Sequence, residues 1–370
     1  MTGPFDPITI DGIRIRNRFM RSATWDGTAT DDGGVTDASV KIFEGVARGG
    51  VGLIVTGYAY VSEQGRPAAG HGQYGVSEDR HIGGLQRLVK AAHDHDAKIA
   101  LQIAHAGIAV GPFRRGDLVA LAPSRIEGLT SPHRALTSLE IEEIVSDFGA
   151  AAARARDAGF DAVQLHAAHG YLMSQFLSPP TNRRTDKWGG TAEGRRRFHV
   201  EVMRSIRRAV GEAYPIWMKL GLQDHSDGGL QLSEGLDALK VLTAEGLSAV
   251  EVSTGRVAGA ARVGKPGDEE RPYFRSDSAE AKRVVDIPIM LVGGIRSLSM
   301  AEDILGRGDA DMISMCRPLI REPGLIARWQ RGDTAPAKCI SCLKCMGLPL
   351  RGEPLECAEE RRLREEATGG

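Results

Sequence analysis

The chain has 370 residues, 47 of them Lys or Arg and 48 Asp or Glu, for a formal net charge of −1. That length suits a (β/α)8 barrel with additions, needs no disulfide staples to complete a core, and offers no electrostatic case for nucleic acid or an anionic membrane surface. No window approaches eighteen apolar residues, so no membrane span is expected.

The N-terminus, MTGPFDPITI, has no basic region ahead of an apolar stretch. No export signal is therefore expected, and the cytoplasm is the default compartment. ITIDGIRIRN (8–17) alternates around Asp11-Gly12 and reads as a hairpin that can plug the N-terminal mouth of a barrel. RFMRSAT (18–24) follows as a first strand. Four copies of one pattern then run down the chain: a polar, Ala-rich helical stretch ends in Gly, and a short apolar strand follows. They are ARGGVGLIVT (47–56), DAGFDAVQLH (157–166), AEGLSAVEVS (244–253) and GRGDADMISM (306–315). Gly suits the left-handed position just past a helix, and continuous apolar strands suit a parallel sheet covered on both faces. KIALQIA (98–104), PIWMKLG (215–221) and PIMLVGG (288–294) supply the third, fifth and seventh strands.

Between strands, Ile82, Leu85, Leu88, Val89 and Ala92 keep helical spacing. Thr137 and Glu140 form a capping box ahead of Ile141, Ile144, Val145 and Phe148. The count is eight βα units over roughly residues 18–332, a (β/α)8 TIM barrel with an N-terminal hairpin. The Pro- and Gly-rich stretch 105–137, and 255–275, are expected to fold over the active face. A doubly wound dinucleotide fold is disfavoured, because no G-x-G-x-x-G follows a strand.

The richest chemistry lies in QLHAAHGYLMSQFLSPPTNRRTDKWGGTAEGRRRF (164–198). His166, His169 and Tyr171 fall within six residues, where a strand gives way to a loop. Loops at the C-terminal ends of strands carry a barrel's active site. Two imidazole N–H groups can converge on one oxygen and polarise a carbonyl or nitro group, and a phenol beside them can deliver a proton. The bland alternative is a structural His or a packing Tyr.

This tract resembles the signature of the old yellow enzyme family, flavin-dependent reductases of activated alkenes. The resemblance runs over nearly the whole barrel. It implies that His166 and His169 bind the substrate's activating group and that Tyr171 is the proton donor. NRFMRSAT (17–24) is similar to the family's first-strand motif and puts Ala23 and Thr24 under the flavin. LIVTGYAYV (53–61) does the same for Gly57 and Tyr58, and QIAHAG (102–107) for Gln102, whose amide would meet the flavin pyrimidine. Lys219 stands where most members carry Arg. It keeps the positive charge that stabilises reduced flavin but loses the guanidinium fork. A phosphate grip is expected at the ends of strands seven and eight, from Gly293, Gly294, Cys316 and Arg317. Trp25 and Tyr58, with the two loops, are expected to shape the substrate pocket. The remaining prolines, glycines and arginines of the tract read as structural.

Cys339, Cys342, Cys345 and Cys357 are spaced C-x2-C-x2-C-x11-C in a short tail, residues 336–370, that follows a barrel of residues 1–335. Three close thiolates and a distant fourth suit a 4Fe–4S cluster, with a four-Cys Zn site as the alternative. The spacing resembles the branch of the family that includes dienoyl-CoA reductases and trimethylamine dehydrogenase. Residues 358–367 form a charged, helical tail.

The resemblance thus implies an FMN-containing oxidoreductase that passes hydride from NAD(P)H to an unsaturated carbonyl compound. Members of the branch continue into further domains, whereas this sequence stops soon after Cys357. Either NAD(P)H acts directly or a separate protein delivers electrons. Many relatives self-associate, which implies a homo-oligomer. An amine or alcohol dehydrogenase on the same barrel, and a non-redox lyase or isomerase barrel, are the rival readings.

Overall fold

A computed structural model of the protein describes residues 2–66, 72–109, 119–255 and 272–368. Parts of the two loops expected over the active face, 110–118 and 256–271, lie outside the described residues.

Eight parallel strands close into a barrel: β1 Phe19–Arg21, β2 Leu53–Val55, β3 Lys98–Ala104, β4 Ala162–Ala167, β5 Ile216–Gly221, β6 Ala249–Ser253, β7 Ile289–Val292 and β8 Met312–Met315. The ring closes where β8 pairs with β1 and β2 with β3. Helices follow the strands on the outside: α1 Asp37–Arg48, α2 Ile82–His93, α3 Ser138–Asp157, α4 Ala192–Val210, α5 Leu232–Ala244, α6 Arg275–Val284 and α7 Leu298–Gly306. The capping box at Thr137 and Glu140 starts α3 as the sequence predicts. The glycines that end the four repeated helix-to-strand joints, Gly50, Gly159, Gly246 and Gly308, all have positive φ. Only a residue without Cβ turns there cheaply, so each helix stops and its strand starts on cue.

The second strand departs from expectation. A continuous run over 53–61 breaks after Val55, and Ala59–Tyr60 resumes against the far end of β3. The break lies where a Cβ on Gly57 would stand 2.8 Å from the Thr24 carbonyl oxygen. The backbone leaves the ladder to pack on the segment after β1.

The N-terminal hairpin pairs Ile8–Ile10 with Ile13–Ile15 through Asp11 (φ 43°) and Gly12 (φ 78°), the left-handed pair of a tight hairpin turn. Its Ile10 and Ile15 are buried in one cluster with Met20, Leu53, Ala100, Ala162, Trp217, Ala249, Met290 and Met312. This cluster fills the barrel interior at its N-terminal end. Alternate residues of a strand face the same way. Two positions further along each of six strands the interior therefore turns polar: Ser22, Gln102, Gln164, Lys219, Glu251 and Ser314, all buried. The hairpin and the apolar storey close the floor, and the polar storey faces the mouth.

The Cys-rich tail packs back on the barrel. Leu355 N–H donates to the Asp26 carbonyl at 2.8 Å, and Arg321 pairs with Glu360 at 2.8 Å. Helix Ala358–Thr368 buries none of its side chains and is laced by Arg–Glu pairs along its surface. Among the described residues no helix is long and apolar enough to cross a membrane.

Candidate active site

A cavity of about 560 Å³ opens at the C-terminal end of the strands. Its size falls in the range of ~300–1,000 Å³ usual for cofactor and small-molecule sites. Ala23, Thr24, Trp25, Tyr58, Gln102, His166, His169, Tyr171, Lys219, Gly293, Cys316 and Arg317 all line it. Residues drawn from seven separate stretches of sequence thus line one cavity. Gly57 and Gly294 are not in the lining. Gly57 packs on Thr24 and Trp25 instead.

Strand register sets the arrangement. Gln102 lies opposite Gln164, His166 opposite Lys219, and Lys219 opposite Glu251. His169 is held by its backbone, whose N–H donates to the Thr254 carbonyl at 3.1 Å. Its φ is +60°, in the left-handed region where His is among the few tolerated side chains. The His169 ring meets Ser253 Oγ at 2.7 Å through Nε2. The His166 and His169 rings stand perpendicular with centroids 5.0 Å apart. Tyr171 lies 4.5 Å from the His166 ring and 5.2 Å from the Tyr58 ring.

Burial governs the protonation of this group. Desolvation lowers the His166 pKa well below its ordinary value, with help from His169 and Lys219. It lowers His169 to about 3, with Lys219 adding to the effect. Both imidazoles are therefore neutral at physiological pH, each with one N–H to give. Burial raises the Tyr171 pKa well above that of a free phenol, and Tyr58 raises it further by charge and hydrogen bonding. Tyr171 thus keeps its proton until a strong base is generated beside it. The buried Nδ1 of His166 has no hydrogen-bond partner among the described residues.

Beneath the cavity runs a network that sequence reasoning missed. Glu251 is fully buried and accepts from Ser22 Oγ at 2.7 Å, Ser314 Oγ at 2.7 Å and Gln164 Nε2 at 3.0 Å. Lys219 Nζ lies 3.2 Å from Glu251 Oε1 and donates to Ser22 Oγ at 2.8 Å. Gln102 donates to Gln164 at 2.7 Å. The signal was present, since a Glu in the apolar run AVEVS is out of place unless it is paired. Tyr273, Phe274, Met346, Pro349 and Leu355 also line the cavity without having been singled out.

The donor set suits a flavin mononucleotide. The lining joins apolar surface, an amide and an ammonium. Arg317 adds a buried Nη1 without a partner among the described residues, while its Nη2 sits 3.5 Å from the Tyr273 hydroxyl. A buried guanidinium nitrogen lacking an acceptor matches a phosphate.

Comparison with known proteins fits this geometry. A profile of the NADH:flavin oxidoreductase / NADH oxidase family matches residues 4–335. The chain belongs to that family. It is 38% identical over 343 residues to an NADH oxidase of Thermoanaerobacter brockii, covering 91% of this chain and 52% of that protein. It is 35% identical over 327 residues to an NADPH dehydrogenase of Listeria monocytogenes serotype 4a, covering 87% of this chain and 93% of that one. Among solved structures, a 2-naphthoyl-CoA reductase in complex with 2-naphthoyl-CoA superposes with a TM-score of 0.87 at 28% identity, over 96% of this chain and 56% of that one. This chain therefore spans about half the length of the first and third of these relatives.

Cys339, Cys342, Cys345 and Cys357 line a second pocket together with Arg317 and Arg321. Burial, with the nearby thiols adding to it, pushes the Cys345 thiol up to about 11. Among the described residues no three His, Cys, Asp or Glu side chains are disposed to hold a metal ion. Arg317 lines both pockets.

Proposed function

We propose that the chain is an FMN-dependent reductase of α,β-unsaturated carbonyl compounds or related activated alkenes, with NAD(P)H as the electron donor. The observation that carries this reading is the meeting of two neutral imidazoles and a protonated phenol in one cavity with Gln102, Lys219 and Arg317. FMN, when bound, would supply hydride transfer. Arg317 and the backbone at Gly293 would hold its phosphate, and Gln102 and Lys219 would meet its ring. The imidazole N–H groups of His166 and His169 bind the substrate's carbonyl or nitro oxygen. They draw electron density toward it and leave the β-carbon electrophilic. Tyr171 gives its proton to the α-carbon as that carbon becomes basic. The 2-naphthoyl-CoA bound in a structural neighbour is itself a conjugated acyl compound, which fits the same substrate class.

We also propose a 4Fe–4S cluster at Cys339, Cys342, Cys345 and Cys357. The C-x2-C-x2-C-x11-C spacing and the shared pocket support this reading, and a four-Cys Zn site is the alternative.

The test is the visible spectrum of the purified protein, followed by turnover of an unsaturated ketone. Flavin bands at roughly 370 and 450 nm and NAD(P)H-dependent loss of the alkene are expected. A colourless protein that takes up no FMN overturns the proposal. Iron and sulfide analysis under anaerobic conditions decides the cluster.

A further inference from the structure

The buried network has a direction. An ionised carboxylate has no hydrogen to give, so every neighbour of Glu251 must donate to it. Ser22 and Ser314 turn their hydroxyls toward Oε1, and the Lys219 ammonium lies against the same oxygen. Gln164 must present its NH2 to Oε2, which leaves its own oxygen pointing away along the chain of bonds. Gln102 must then present Nε2 to that oxygen. What remains for the cavity is the amide oxygen of Gln102 and the second N–H of Nε2. A side-chain amide on its own has no such preference, because its two ends are nearly the same shape. Hydrogen-bond chains of this kind also polarise one another, more so where water is excluded.

We infer that Glu251 is a positioning residue: through Gln164 it decides which end of the Gln102 amide faces the cofactor, and through its own charge it holds Lys219 against the same wall. This rests on the proposed FMN site and deepens it. The pyrimidine edge of a flavin offers an N–H between two carbonyls, and an amide of set polarity reads that pattern in one orientation. The carboxylate also sets the local charge. A flavin near Lys219 is near Glu251 as well, so the pair offers less net positive charge than the lysine alone.

The two branches of the network separate experimentally. E251Q removes the charge and frees both amides to flip. Q164L cuts the relay to Gln102 but leaves the Lys219–Glu251 pair intact. Wild type and both variants are stripped of flavin and titrated with FMN, following fluorescence quenching, the visible spectrum and the midpoint potential. Both variants are expected to bind FMN at least tenfold more weakly and to shift the long-wavelength band. E251Q alone is expected to raise the midpoint potential, because reduced flavin then meets an uncompensated lysine. If E251Q does not fold, Q164L decides by affinity and spectrum. Variants with wild-type affinity, spectrum and potential overturn the inference while leaving the FMN site standing. A wild-type chain that takes up no FMN overturns the site and the inference together.

Discussion

Each candidate group at the site is defined by what burial does to it. Tyr171 is held protonated and the imidazoles are held neutral, which suits the roles proposed for them as one proton donor and two N–H donors. Y171F is expected to lower turnover of an unsaturated ketone by about 10²–10⁴-fold, the usual contribution of a positioned acid. Anaerobic reduction of the enzyme by NAD(P)H should keep its rate, which stopped-flow absorbance separates from turnover. H166A removes an oxygen anchor and is expected to cost about 10²–10³-fold in kcat, measured with the same substrate. These residues could be picked out in advance because His and Tyr cluster at a strand end. Glu251 stood out as a lone acid in an apolar strand, but its partners and those of Gln164 come from other strands, and only register brings them together. Gly57 rests on motif resemblance and Gly294 on the phosphate-binding habit of barrel strands seven and eight, and neither is in the cavity lining.

At the scale of elements, the hairpin closes one end of the barrel and the tail lines the cavity at the other. Ile15 is fully buried in the apolar storey. I15A is expected to destabilise the protein by roughly 2–5 kcal/mol, read from the urea midpoint. The eight strands were legible as apolar runs, and the hairpin by its alternation, since Asp-Gly between alternating isoleucines admits few other conformations. The tail was harder to place. Its cysteines announce themselves by spacing, but nothing in their order says that Met346, Pro349 and Leu355 reach the cavity. That follows from the close approach of the tail to Gly27, where a Cβ would stand 2.9 Å from the Pro349 Cβ. G27A is expected to displace the tail and weaken FMN binding, measured by flavin release on dilution.

The whole molecule carries an acid sensitivity in its interior. Burial lowers His105, His169 and His199 to about 3 and His166 well below its ordinary value. The unfolded chain therefore takes up protons near pH 6.5 that the folded chain refuses. Folded-state pKa values below the unfolded ones contribute stability that is complete above about 6.5 and is lost as pH falls toward about 3. Melting temperature is expected to fall between pH 7 and pH 5. His199 has no hydrogen-bond partner on either ring nitrogen among the described residues, so H199F should flatten that slope, as calorimetry at both pH values would show. The barrel itself was readable because its repeated unit ends each helix in glycine and starts each strand with an apolar run. The interior titration was not, because burial of a particular His depends on the closed ring.

The left-handed backbone at His169 restricts what can ever stand at that position. β-Branched and bulky side chains are strained there, whereas Gly, Asn, Asp and His are accommodated. The oxygen-anchoring role proposed for His169 needs a side-chain donor, and of these four only His and Asn carry one at neutral pH. Anyone reshaping this enzyme by randomising codons should spend diversity on Trp25 and Tyr58, where ordinary conformations leave the alphabet open, and expect position 169 to return only two letters.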